Sequence, residues 1–74
     1  MKEVIFDYRK LSGRITEKGF TQKGFAEELD MAPSTLSLKL NNKFPFSQQE
    51  ISKALDILEI ARGDVGIYFF TLKV

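Results

Sequence analysis

The sequence has no cysteine, no histidine and no tryptophan. Disulfide frameworks and the cysteine- or histidine-based zinc sites that hold small domains together are therefore excluded. The commonest general base and the thiol nucleophile are missing with them. Glu27, Glu28 and Asp30 put three carboxylates near one helix end, but nothing in the pattern converges on them. No enzyme activity, catalytic residue, metal or cofactor is expected. An excess of one charge is also lacking, since 11 Lys and Arg against 10 Asp and Glu leave a net charge of +1. Nucleic-acid binders usually carry a clearly basic face, because phosphate neutralisation drives their non-specific affinity. Long apolar runs are absent too. Val4-Ile5-Phe6 is too short for a secretory signal, and Ile67-Tyr68-Phe69-Phe70 falls far below the ~20 residues a membrane helix needs. A cytoplasmic protein without membrane contact is expected.

The 74 residues present suffice for one small domain, covering residues 1–74. A chain of this size buries only about 60% of its unfolded surface. Close helix packing or self-association must supply the rest of its stability.

Residues 1–6 suit an extended apolar arm. Asp7 offers an N-cap to a helix from about Tyr8 to Lys18, with Tyr8, Leu11 and Ile15 on its inner face and Gly13 at a close packing contact. Gly19 suits the left-handed position after it. Thr21 caps a second helix, Gln22 to Leu29, whose inner face is Phe25, Ala26 and Leu29. Ala26 is small where two helices must cross. The turn is Asp30-Met31-Ala32, with Met31 as an apolar plug, and Pro33 opens a third helix with Leu36 and Leu40 facing inward. Asn41-Asn42-Lys43 ends it. Ser47 and Glu50 form a capping box for a fourth helix, about Gln48 to Leu58, with Phe46 placed to staple onto Ile51. A short fifth helix falls over residues 62–68, followed by the apolar tail Tyr68 to Val74.

Thr21 to Asn42 thus reads as a helix-turn-helix, the motif that lays its second helix in the DNA major groove. Over residues 22–43 charge is balanced, three basic residues (Lys23, Lys39, Lys43) facing three acidic ones (Glu27, Glu28, Asp30). Arg9, Lys10, Arg14 and Lys18 on the first helix offer a phosphate-binding flank or a plain solvated surface.

Thr21-Gln22, Phe25-Ala26, Leu29, Ser34-Thr35-Leu36-Ser37 and Asn41-Asn42-Lys43 resemble the Cro/repressor-type helix-turn-helix proteins of temperate phages. More narrowly, Phe6-Asp7-Tyr8, Leu11, Gly13-Arg14-Ile15, Leu36 to Asn41, Pro45-Phe46-Ser47 and Tyr68-Phe69-Phe70 resemble short phage regulators. The resemblance implies an all-α, five-helix, lambda-repressor-like fold with apolar terminal tails, and a part in the lysogenic/lytic decision. It implies that Gln22 touches a phosphate and braces the third helix. It places Ser34, Ser37, Leu38 and Asn41 outward toward bases or phosphates, with Lys43 beside the backbone; Lys23 and Pro33 complete the candidate set.

Departures from the family pattern leave two readings open. Asp30 stands where a turn glycine is usual, and Pro33 has no donor for a base edge. Leu38 is apolar where polar readers are expected. The main reading is a transcriptional regulator that binds double-stranded operator DNA as a homodimer. The other is an antirepressor, binding a phage repressor protein through the same surface and inactivating it.

Overall fold

Four helices in this chain stop in the same way, and those stops set its shape. The computed structural model describes residues 4–73, so residues 1–3 of the arm and Val74 of the tail lie outside it. The helices are α1 (Arg9–Glu17), α2 (Gln22–Glu28), α3 (Pro33–Leu40) and α4 (Gln48–Ile57), then a 3-10 turn (Arg62–Asp64) leading into α5 (Val65–Phe69). Each expected helix is present, with ends shifted by a residue or two. Asp7 sits one position before the α1 cap and accepts the Arg9 N–H at 3.0 Å.

At the ends of α1 to α4 the next residue turns left-handed: Gly19 (φ 85°), Asp30 (57°), Asn42 (62°) and Glu59 (54°). In each case two amides fold back onto the last helical carbonyls. After α3, Asn42 N–H reaches Lys39 O at 3.1 Å and Lys43 N–H reaches Leu38 O at 2.9 Å. This is the Schellman arrangement, which satisfies carbonyls that would otherwise face nothing. Asp and Asn tolerate that backbone better than most residues, so Asp30 supplies the turn without glycine.

The starts are equally local. Thr21 Oγ1 accepts the Gly24 N–H at 3.0 Å. Ser47 and Glu50 cap one another through bonds of 2.9 and 3.1 Å. Side-chain caps of this kind contribute ~1 kcal/mol each. Ala32, before α3, provides none.

The core joins Leu11 and Ile15 of α1, Phe25 and Ala26 of α2, Leu36 of α3, Leu55 of α4 and Phe69 of α5. Ala26 is wholly buried, as a helix crossing demands, and Met31 packs partly buried against the cluster. The ends of the described chain meet. Phe6 and Leu72 form an isolated antiparallel bridge, flanked by Asp7 N–H to Thr71 O at 2.7 Å and Lys73 N–H to Ile5 O at 2.9 Å.

Gly13 departs from expectation. No atom lies within 4 Å of where its Cβ would stand, so no close packing contact requires glycine there.

Candidate helix-turn-helix binding face

The outer face of α2 and α3 carries the predicted residues, and its chemistry is sparse. Gln22 and Lys23 are exposed on the first turn of α2, and Pro33 and Ser34 on the first turn of α3. Ser37 is half-buried, Leu38 is 42% exposed, and Asn41 and Lys43 are exposed at the helix end. Two of these are brought onto Ser37 and Leu38 by hydrogen bonds. Asn41 Nδ2 donates to the Ser37 carbonyl at 2.7 Å, and the Lys43 N–H donates to that of Leu38. One of the two amide N–H groups of Asn41 is thereby committed within the helix end. Among the described residues, Gln22 makes no side-chain hydrogen bond to α3, so the bracing role expected of it is not observed.

Two of the six charges on this unit are committed to α4. Lys53 of α4 reaches Asp30 at 2.7 Å. Its hydrogen bond and positive charge hold the Asp30 carboxyl below its ordinary range. Lys39 runs inward, 12% exposed, to Glu50 Oε1 at 2.5 Å, tying the recognition-helix position to the α4 capping box. Burial pushes Glu50 up, but the Lys39 bond and the Ser47 amide outweigh it, and the net displacement is downward. That leaves Lys23 and Lys43 against Glu27 and Glu28 without ion pairs among the described residues. The face is neutral.

The basic flank on α1 is mostly engaged elsewhere. Arg14 donates to the carbonyls of Leu58 and Glu59 at 2.9 and 3.1 Å, closing the end of α4, and also pairs with Glu17. Lys18 pairs with Glu59, and Arg9 with Asp7 at 2.7 Å. Of the four cations proposed for phosphate, Lys10 alone has no ion pair among the described residues.

Two neighbours of the site escaped sequence reasoning. Asn42 grips the N-terminal arm, accepting the Phe6 N–H at 2.8 Å and donating to the Phe6 carbonyl at 3.0 Å. An Asn after a helix signals the left-handed turn, but the sequence carries no sign of a partner 36 positions away. Phe44 is 55% exposed. Its one clue is position, a phenylalanine in the loop between Lys43 and Pro45.

Among the described residues no group of three or more potential ligands is arranged to hold a metal, and no helix is long and apolar enough to cross a membrane. No curated protein matches the sequence. Among solved structures, the fold is similar to the solution structure of the modulator of repression (MOR) of the temperate bacteriophage TP901-1 from Lactococcus lactis. That similarity has a TM-score of 0.76 and 45% sequence identity, over 88% of this chain and 88% of that one. It meets the narrower of the two resemblances, to short phage regulators. With residues 4–72 matched, the chain belongs to the family described as "Protein of unknown function (DUF739)".

Proposed function

We propose that this chain modulates repression by acting on a protein. It binds a phage repressor through the outer face of α2 and α3 and inactivates it, taking part in the lysogenic/lytic decision. The observation that carries this reading is the outward chemistry of α3. Base readout draws its discrimination from bidentate Arg, Asn or Gln contacts, each worth ~1–3 kcal/mol. The one such residue on α3 or at its end, Asn41, has one amide N–H turned back onto Ser37. Leu38 is exposed beside it, and the net charge of the unpaired residues is zero. An apolar side chain within a neutral, hydrogen-bond-poor surface suits a protein contact. The 45% identity to a phage modulator of repression supports the same reading. The activity is binding without chemistry, and it takes place in the cytoplasm where such a repressor works.

A second reading, operator binding as a homodimer, is favoured by Gln22, Lys23 and Lys43, all exposed and suited to phosphates. One pair of assays separates the two. The full chain is co-purified with the repressor of the same phage genome, and is titrated alone onto the phage operator region across a salt series. A complex that survives size exclusion, with no operator shift at micromolar protein, is the expected result. A salt-dependent shift without any repressor complex would overturn the proposal in favour of the second reading.

A further inference from the structure

Three of the seven exposed large apolar side chains among the described residues gather at one place beyond α3. Phe44, Phe70 (51% exposed) and Val4 line the same cavity, of about 210 Å3, together with Phe46 and the buried Phe69. Small-molecule sites are usually ~300–1,000 Å3; this one has room for a single large side chain. It begins where the outer face of α3 ends. Lys43, exposed at the end of that face, also lines the cavity, so the two share an edge.

The walls are held before any ligand arrives. Asn42 clamps both backbone polar groups of Phe6 from one edge, while the bridge to Leu72 holds the other. Phe46 sits edge-on between Tyr8 and Phe69, with ring centroids 5.4 and 5.3 Å away. A preformed pocket spares the ordering cost that weakens binding to mobile surfaces. Its lining holds one charged side chain, Lys43, which is exposed and has no ion pair among the described residues. Complementarity therefore calls for an apolar group with a carboxylate beside it.

We propose that this cavity is a second contact point for the repressor, receiving one large apolar side chain, leucine or aromatic, flanked by an Asp or Glu that reaches Lys43. The proposal rests on the reading of α3 as the repressor contact and adds the chemistry of the partner. Full-length repressor is titrated calorimetrically with the full chain as wild type, Leu38→Glu, Phe44→Ala, Phe70→Ala and Lys43→Glu. Phe44→Ala is expected to weaken binding at least tenfold. Lys43→Glu is expected to do the same, and Phe70→Ala, at an exposed cavity wall outside α3, keeps the test valid if Phe44→Ala fails to fold. If Leu38→Glu abolishes binding while the cavity variants stay within twofold of wild type, the cavity proposal is overturned and the reading of α3 stands. If the phenylalanine variants weaken binding and Lys43→Glu does not, the flanking carboxylate is overturned. If wild type does not bind, or Leu38→Glu binds as wild type does, the reading of α3 fails and the cavity proposal with it.

Discussion

The inner and outer faces of α3 use the same kind of residue for different ends. Leu36 is wholly buried against the core, whereas Leu38, two positions on, is 42% exposed. A similar contrast separates the cations. Arg14 and Lys18 are bound into the seam between α1 and the end of α4, while Lys23 and Lys43 have no ion pair. The fold is therefore decided by side chains whose partners lie inside the molecule. The ligand is decided by those left over, and here they are few, mixed in charge and partly apolar. Two short helices joined by a tight turn do not by themselves imply DNA.

Substitutions on the two sides should separate stability from binding. Leu36→Ala leaves a cavity at the α2–α3 contact and should cost ~2–5 kcal/mol. That is a large share of the stability of so small a domain, and urea denaturation will read it directly. Arg14→Ala comes next. It removes the donor from the Leu58 and Glu59 carbonyls, and hydrogen bonds from a charged group are worth ~1.5–3 kcal/mol. Its urea midpoint should fall while repressor affinity, measured on the folded protein, stays unchanged. A loss of affinity at full stability would move the binding face toward α1.

The helix punctuation was legible because it is local. Thr21, the Ser47 and Glu50 box, and Gly19 each act within a few residues, and hydrophobic spacing located Phe25, Leu29 and Leu36. What the sequence did not disclose spans the chain. Arg14 reaches α4 44 and 45 positions away, and Asn42 reaches Phe6 across 36. Such partners follow from packing, and no short pattern encodes them. Exposed residues are harder still. Ser34, Ser37 and Asn41 match polar slots on a recognition helix, yet the turn of Asn41 toward Ser37 is visible only in three dimensions. Glu59 was unforeseen because a glutamate rarely takes the left-handed backbone.

Gly13 offers a smaller test. Open space surrounds its missing Cβ, so Gly13→Ala should raise stability by about 0.5–1 kcal/mol through helix propensity alone. A decrease would mean that something packs there after all. The weakest effect expected is at low pH. Asp7 titrates at about 2 instead of 3.8, chiefly through the side-chain hydrogen bond from Arg9 and then the Arg9 N–H. Asp30, Glu50 and Glu59 are displaced in the same direction. A carboxyl whose folded pKa is depressed contributes its stability above its unfolded pKa and loses it as pH falls through the folded value. Thermal midpoints should thus be level near neutrality and decline through the acid range, for Asp7 between 3.8 and about 2. Midpoints that stay level or rise as the pH falls through the acid range would contradict these assignments.

The most direct test of the account is to follow the backbone amides of the full chain by NMR as the cognate repressor is added. The largest changes are predicted at Ser34, Ser37, Leu38, Asn41 and Lys43, with α1 and the C-terminal end of α4 little affected. Changes confined to α1 and α4, or none on α3 at saturating repressor, would contradict the claim that the outer face of α2 and α3 binds a protein.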